Sequence, residues 1–193
     1  MALYTGKGDT GTTTTFGPDA SNRGSDPAGR WSCNQQRISK SSEVPEALGA
    51  LDELNAFLGL VKMRAADSER IGGIVHEVQE TLFIIQAEVA DADKRVREDA
   101  VKKIEKLVNE IEKEIPPVKG FSIAGGTELS ALLDVARTLA RRAERRVIAV
   151  QEMHLRELSP ATMAYLNRLS SLLFALARLA NHLAGVAEVV PHY

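Results

Sequence analysis

Aromatic residues and cysteine are scarce in this chain, and long apolar runs are missing from it. Aromatic residues make up 5% of the 193 positions, and Cys33 has no second cysteine with which to form an internal disulfide. No apolar run approaches the roughly 20 residues needed to span a bilayer, and the N-terminus shows no secretory signal. We therefore expect a soluble protein in the reducing environment of the cytoplasm.

The chain also lacks an excess of charge and several familiar catalytic motifs. Its net charge is −2, so composition predicts neither a nucleic-acid partner nor a membrane partner. The sequence contains no Cys-x-x-Cys, no Glu-x-x-His pair and no Gly-x-Ser-x-Gly. These absences argue against a carboxylate di-iron bundle and a serine hydrolase. The four histidines are scattered, and we predict no metal-ligating residues.

Helical periodicity is what the chain does have, from Pro45 onward. Apolar residues at helical spacing predict five helices, over residues 46–65, 68–92, 95–114, 128–154 and 160–187. Short loops join them, so the predicted fold is all-α, an antiparallel five-helix bundle. We expect one domain over residues 1–193, with 1–45 as a flexible arm and insert and 46–187 as the bundle.

The arm begins with YTGKGDTGTTTT, residues 4–15, which is rich in glycine and threonine. Gly6 to Gly11 has the spacing of a phosphate loop, but Thr12 stands where that motif needs lysine, and no strand precedes it. Glycines still allow backbone N–H groups to approach an anion, while threonine hydroxyls and Lys7 add donors. Phosphate binding and a flexible terminus without a ligand are both open at this point.

The fourth predicted helix contains DVARTLARRAERRV, in which Arg137, Arg141 and Arg145 recur every four residues. The face opposite them is predicted to be buried and consists of Leu132, Ala136, Leu139, Ala140, Ala143, Val147 and Val150. Stacked guanidinium groups repel one another unless an anion lies between them, and their forks suit phosphate oxygens. A polyphosphate would explain the row, as would acidic residues of another helix or subunit. The alternative is a solvated basic face with Glu144 as counter-charge.

Polar side chains also interrupt two apolar helices. In the fifth predicted helix, Asn167, Ser171, Phe174 and Arg178 form a line beside the apolar face. The Asn167 amide needs a hydrogen-bond partner if it is buried, and an inter-helix bond would supply one. In the first helix, Asp52 needs a cationic partner if it is buried, and the arginines of helix four are candidates. A plain surface acid is the alternative.

Five blocks occur in order along the chain: YTGKGDTGTTT, EALGALDELNAFLG, FSIAGG, ARTLARRAERRV and YLNRLSSLLFALAR. Together they resemble the PduO-type ATP:cob(I)alamin adenosyltransferases, also called corrinoid adenosyltransferases, over nearly the whole chain. The resemblance implies a homotrimer with active sites between subunits. It also implies transfer of the 5′-deoxyadenosyl group of ATP to the cobalt of cob(I)alamin, with Mg²⁺ present. A corrinoid reductase and an adenosylcobalamin-dependent enzyme are the implied partners.

The resemblance implies roles for individual residues as well. Arg137 and Asp52 resemble a pair that joins adjacent subunits across the site. Phe121 matches an aromatic residue beneath the corrin ring, and Phe174 is a second corrinoid-binding candidate. Catalytic roles are implied for Arg137, Arg141, Asp52 and Phe121. ATP binding is implied for Thr5, Gly6, Lys7, Gly8, Thr13, Thr14, Lys40, Arg141, Arg142, Glu144, Arg145 and Asn167.

The sequence departs from the family pattern in a few places. Lys7 stands where threonine is usual, Ala124 where proline is usual and Ser171 where aspartate is usual, and segment 18–36 is longer than the usual link. Two other functions therefore stay open. One is a corrinoid-binding or delivery trimer without turnover, and the other is a nucleotide-sensing bundle with the arm as a switch. A nucleotide-sensing bundle would not bind corrinoid, so a corrinoid-binding assay would distinguish it from the delivery trimer.

The serine at position 171 generates a testable prediction. We expect Ser171→Asp, which restores the usual residue, to leave adenosyl transfer equal to the wild type or faster, because the serine only weakens a contact between helices. The measurement is the turnover number of both proteins with ATP and cob(I)alamin. A large loss of turnover in Ser171→Asp would contradict this interpretation.

Overall fold

A computed structural model describes residues 4–15, 37–117 and 120–192. Its five helices are α1 (Glu43–Arg64), α2 (Glu69–Val89), α3 (Glu98–Glu114), α4 (Glu128–Glu152) and α5 (Pro160–Leu183). Two short strands precede them, β1 (Thr12–Thr13) and β2 (Ile38–Ser39). The predicted all-α class with five helices is confirmed. Cys33 and segment 18–36 lie outside the described residues, and the single-domain boundaries stay a prediction.

Helix α4 is central, because it packs against α5 on one side and α1 on the other. Helix α2 packs on α1, and α3 packs on α5. Ion pairs show that α1 and α4 are antiparallel: Glu46 near the start of α1 meets Arg146, whereas Arg64 at its end meets Glu128. None of the helices in the described ranges is long and apolar enough to cross a membrane.

The buried stripe of α4 differs slightly from the predicted one. Leu133 is fully buried, whereas Leu132 and Leu139 are only partly buried. The stripe is centred on Ala140, and Leu139 is displaced from it by the angle of one residue, about 100°. The prediction placed the two leucines too close to the centre of the face, and they pack at its edge instead.

Three of the helix ends are set by residues with positive φ. Helices α2 and α4 end three and two residues earlier than predicted, and Asp91 and His154, just beyond them, have φ of 69° and 54°. Helix α5 ends at Leu183 rather than at 187, and Gly185 follows with φ of 67°. A left-handed residue stops the helical hydrogen-bond ladder, and glycine adopts it most easily.

Two helix starts also differ from the prediction. Helix α1 begins at Glu43, before Pro45, because a proline in the first turn removes only an N–H that has no partner in the helix. Helix α3 begins at Glu98 rather than at 95, since Arg97 has an extended backbone with ψ of 151°. Helix α5 begins at residue 160, as predicted. Ser159 is its N-cap, and the Ser159 side chain accepts a hydrogen bond from the N–H of Thr162.

Glu88, near the end of α2, is 2% exposed and joins α2 to the start of α5. Its Oε1 accepts from the backbone N–H of Ser159, and its Oε2 accepts from the Thr162 hydroxyl. The Ser159 hydroxyl lies 3.3 Å from Oε2, and Arg95 Nε lies 3.5 Å from Oε1. The carboxylate is thus paired and also sits favourably at a helix N-terminus.

This network predicts that Glu88→Ala destabilises the fold strongly. Removing the carboxylate leaves the buried Thr162 hydroxyl and the partly buried N–H of Ser159 without an acceptor, which costs about 2–4 kcal/mol. The measurement is the free energy of unfolding in urea, with Glu80→Ala on the exposed face of α2 as the control. Equal stability of the two variants would show that the Glu88 contacts do not support the junction.

Candidate functional site

The N-terminal arm forms a glycine loop, residues 6–11, that leads into a short antiparallel pair of strands. Strands β1 and β2 are antiparallel, with Thr12 opposite Ser39. Gly6 and Gly11 have φ of 68° and 76°, which favours glycine at both positions. The N–H of Gly11 donates to Gly8 O at 3.1 Å. The sequence pattern indicated no strand here, because a ladder of two residues per strand is too short to show alternation.

Two cations brace this loop. Lys40 Nζ donates to Gly8 O at 2.9 Å, and a Cβ on Gly8 would lie 2.8 Å from that Nζ. Arg37 Nε donates to Thr12 Oγ1 at 2.8 Å, while its Nη2 donates to the carbonyl oxygens of Thr12 and Lys7. Lys40 was predicted to belong to the site. Arg37 was missed, and the only signal for it was a second cation three residues before Lys40.

The remaining threonines of the arm lie along the same segment. Thr5 Oγ1 accepts from the N–H of Lys7 at 3.4 Å, Thr13 belongs to β1 and Thr14 is exposed. Thr15 Oγ1 accepts from Arg156, which follows α4, at 3.3 Å. The arm is therefore tied to the end of the bundle at which α4 finishes. The ATP-binding role of these residues stays a prediction.

A second group of predicted residues lies where α4 meets α5. Asn167 Nδ2 donates to Glu144 Oε1 at 2.9 Å and bridges the two helices. Arg141 and Arg145 are exposed beside this pair. The expected inter-helix bond of the asparagine is therefore present, and it holds Glu144 next to two exposed guanidinium groups. That arrangement leaves the arginines accessible to an anion.

Arg142 points to the other side of α4. Its guanidinium is paired with Glu53 on α1, in an exposed ion pair. Arg142 was predicted to bind ATP together with its neighbours, and the structure separates it from Arg141 because successive helical residues diverge by about 100°. Its nucleotide role stays a prediction, and within this chain its partner is a carboxylate.

Arg137 and Phe174 continue the α4–α5 face toward the start of α4. Arg137 Nε donates to Asp134 Oδ1 at 3.1 Å. The guanidinium carbons of Arg137 and Arg178 each lie 5.9 Å from the centre of the Phe174 ring. The ring is thus flanked by two cations, an attractive arrangement for an aromatic face.

Asp52 is exposed on α1 and forms no ion pair with the described residues. Arg137 faces α5, so the predicted contact between Asp52 and Arg137 is not made within one chain. A cationic partner on helix four was expected only if Asp52 were buried, so its exposure agrees with the alternative of a plain surface acid in its own chain. A contact between subunits stays a prediction.

Phe121 lies beside a cavity of about 330 Å³ between the loop after α3 and the C-terminal tail. The ring is 78% exposed, although it is a large apolar side chain. Arg178 is 7% exposed and donates to Pro116 O at 2.7 Å, and it also pairs with Glu188 of the tail. One buried guanidinium therefore joins α5, the loop and the tail around the cavity.

The loop that follows Phe121 is fixed by Asn181, which sequence reasoning missed. Asn181 Oδ1 accepts from the N–H of Thr127 at 2.9 Å, and its Nδ2 donates to Gly125 O at 2.8 Å. Gly126 has φ of 105°, and a Cβ there would lie 2.5 Å from Asn181 Oδ1. The paired glycines before a helix were the available signal. They allow the amide to reach the backbone that starts α4.

The predicted residues thus fall into two groups, one on the arm and one along α4 and α5 with Phe121. No hydrogen bond or ion pair between described residues joins the two groups. Over residues 4–15, 37–117 and 120–192 there is also no cluster of three or more His, Cys, Asp or Glu side chains that could hold a metal ion.

An all-helical bundle with a cation-braced glycine loop and an arginine-lined helix pair is suited to binding a polyanion. The sequence model of the family described as cobalamin adenosyltransferase matches residues 3–180, and the chain belongs to this family. The resemblance inferred from the five sequence blocks is confirmed.

Individual relatives agree with this assignment. The chain is 34% identical over 198 residues to the corrinoid adenosyltransferase PduO of Salmonella typhimurium. The alignment covers 98% of this chain and 53% of that protein. It is 33% identical over 196 residues to the corrinoid adenosyltransferase of Bacillus subtilis, and this alignment covers 98% of this chain and 91% of that protein. The chain therefore spans about half the length of the Salmonella relative and of a PduO from Citrobacter freundii.

A solved structure shares the fold as well. It is a variant of the PduO-type ATP:corrinoid adenosyltransferase from Lactobacillus reuteri, complexed with cobalamin and ATP. The TM-score is 0.83 at 26% identity, over 99% of this chain and 97% of that one.

The Asn181 contact predicts a difference between two neighbouring glycines. Both Gly125 and Gly126 have positive φ, but only Gly126 lacks space for a Cβ. We expect Gly126→Ala to lower stability by about 1–3 kcal/mol, and by more than Gly125→Ala, because it also displaces Asn181. Thermal unfolding of both variants measures this. Equal losses would mean that the Asn181 contact adds nothing to the backbone strain.

Proposed function

We propose that this protein is an ATP:corrinoid adenosyltransferase. It transfers the 5′-deoxyadenosyl group of ATP to the cobalt of cob(I)alamin, giving adenosylcobalamin and triphosphate. The observation that carries the proposal is the agreement in fold, over 99% of the chain, with a transferase that was solved with both cobalamin and ATP. The order of the sequence blocks supports the same conclusion.

The triphosphate is proposed to lie against the glycine loop. Thr5, Gly6, Lys7 and Gly8 line it, and Thr13, Thr14 and Lys40 lie nearby. Backbone N–H groups at glycines approach an anion closely, and lysine ammonium groups add charge. Lys40 has three donors, so its bond to Gly8 O still allows it to reach a phosphate oxygen.

The exposed arginines of α4 are proposed to complete the nucleotide site. Arg141 and Arg145 supply guanidinium forks, and the bond between Asn167 and Glu144 holds that part of the α4–α5 face in place. Arg142 is proposed as a further contact, and it would have to leave Glu53 to reach the nucleotide. Since no hydrogen bond or ion pair between described residues joins the arm to this face, ATP itself would link them.

The reaction needs alignment and charge neutralisation more than activation. Cob(I)alamin is already a strong nucleophile, and its cobalt attacks the 5′ carbon of ATP. The cobalt–carbon bond forms, and the carbon–oxygen bond breaks with its electron pair leaving on triphosphate. The protein must hold the three reacting atoms in line. Lys7, Lys40 and Arg141 stabilise the negative charge that develops on the leaving group.

The corrinoid is proposed to bind beside Phe121 and Phe174. Phe121 is exposed next to the cavity after α3, as an aromatic residue beneath a corrin ring would be. Filling the space below the ring with an apolar side chain excludes water and a lower axial ligand from cobalt. This favours the reduced cofactor, whose formation is otherwise difficult.

The active site is proposed to lie between subunits of a homotrimer. Asp52 is exposed and has no described partner in its own chain, so it is available to Arg137 of a neighbouring subunit. Leu60 and Met63 on the same exposed side of α1 add apolar surface. Buried apolar contact would stabilise the assembly, and the ion pair would fix its register.

Mg²⁺ is proposed to enter with ATP. Because the described residues offer no cluster of ligands, phosphate oxygens and water would supply most of its coordination, as is usual for this ion. A reductase that supplies cob(I)alamin and an enzyme that uses adenosylcobalamin are the proposed partners, in the cytoplasm.

Arg141 provides the test of this proposal. We expect Arg141→Ala to abolish ATP-dependent transfer, because triphosphate loses an arginine that neutralises it. The trimer should stay intact, since the side chain is exposed and unpaired among described residues. The assay is anaerobic conversion of cob(I)alamin to adenosylcobalamin, followed by absorbance.

The matched control is Arg70→Ala, which removes an exposed arginine that pairs with Glu114 far from the arm. It should transfer at the wild-type rate. Unchanged activity in Arg141→Ala would show that the phosphate assignment on α4 is wrong, whereas loss of the trimer would show that the arginine supports assembly instead.

A further inference from the structure

Arg37 has no role in the function proposed above, yet its guanidinium bonds both Lys7, inside the glycine loop, and Thr12, directly after it. Nε donates to Thr12 Oγ1 at 2.8 Å, and Nη2 donates to Thr12 O at 2.7 Å and to Lys7 O. We propose that Arg37 is a positioning residue for ATP. It holds the loop in its phosphate-binding shape without contacting the nucleotide, an inference that rests on the proposed function.

The bonded carbonyl groups explain how one side chain can fix the loop. Lys7 lies near the start of the loop and Thr12 directly follows its end, so a guanidinium bonded to both sets the distance between the two ends. The donors of arginine lie in one rigid plane, which makes this spacing specific. The β1–β2 ladder has only two residues per strand, and a ladder that short is not stable by itself.

The same bonds engage carbonyl oxygens of this segment and leave N–H groups of the loop for an anion. Arg37 engages the carbonyls of Lys7 and Thr12, and Lys40 engages the carbonyl of Gly8. Carbonyl oxygens that are bonded to cations repel a nearby polyphosphate less than free ones would. Within residues 4–15, 37–117 and 120–192, no acceptor is bonded to the N–H groups of Gly8 or Thr10. Such N–H groups are what an anion-binding loop offers.

The two cations differ in where their bonds lie. The Lys40 ammonium makes one bond, to Gly8 O within the loop, and retains two further protons for a phosphate, while its backbone N–H donates to Gly11 O at 2.9 Å. Arg37 uses Nε and Nη2 to join Lys7 and Thr12 at the two ends of the loop, and it keeps the two N–H groups of Nη1. The bonds that join the two ends assign loop support to Arg37.

The test compares wild type, Arg37→Lys, Thr12→Val and the double variant. Calorimetry with ATP in the absence of corrinoid gives Kd, and the anaerobic transfer assay gives kcat and KM. We expect Arg37→Lys to raise Kd for ATP about tenfold, which corresponds to a loop that is correctly shaped one-tenth of the time. At saturating ATP, kcat and the KM for cob(I)alamin should stay near the wild-type values.

Thr12→Val keeps the shape of the side chain and removes one acceptor of Arg37, so its effect should be smaller. The double variant should bind ATP no more weakly than Arg37→Lys, because both changes act on the same brace. Arg97→Lys, at a surface arginine paired with Asp99, is the control and should match wild type.

Two results would overturn the inference while leaving the proposed function intact. One is an unchanged Kd in Arg37→Lys, and the other is additive losses in the double variant, which would mean that Arg37 contacts ATP directly. If wild type binds ATP but transfers nothing, the proposed function fails and the Kd comparison still decides the role of Arg37. If wild type does not bind ATP, both fail.

Discussion

The close packing of α4 between α1 and α5 is the constraint on which the rest of the structure depends. Ala136, Ala140 and Ala143 are fully buried along its inner face, and small side chains let both neighbouring helices approach. The charged residues of α4 therefore lie on its remaining outer surface or along the borders with α1 and α5. Arg142 lies at the border with α1, where it pairs with Glu53, and Glu144 lies at the border with α5, where it accepts from Asn167.

Much of this could be predicted from the sequence, because helical periodicity is a local signal. The five helices follow from the spacing of the apolar residues. A partner across helices was expected for Asn167 if its amide were buried; the side chain is exposed, and it makes that bond with Glu144. The braces of the glycine loop could not be predicted in the same way. Arg37 contacts residues 25 and 30 positions earlier in the chain, and no periodic pattern encodes a contact made through an antiparallel pair of two-residue strands.

Two other misses have the same origin. Asn181 fixes the start of α4 from 54 residues away, and Glu88 is satisfied by the start of α5, 71 residues beyond it. In each case the polar residue lies in an otherwise apolar stretch of helix, but its burial and its partner depend on how the helices pack. The resemblance also marked Asp52 and Arg137 as a pair between adjacent subunits. Asp52 is exposed in the single chain, and the pairing stays a proposal.

In the proposed function, the loop and the arginine face together direct ATP toward adenosyl transfer rather than toward hydrolysis or sensing. A single-turnover experiment tests this most directly, with purified protein, ATP, Mg²⁺ and chemically reduced cob(I)alamin mixed without oxygen. We expect one adenosylcobalamin and one intact triphosphate for each ATP consumed. Binding of both ligands without either product, or release of ADP and phosphate instead, would contradict it.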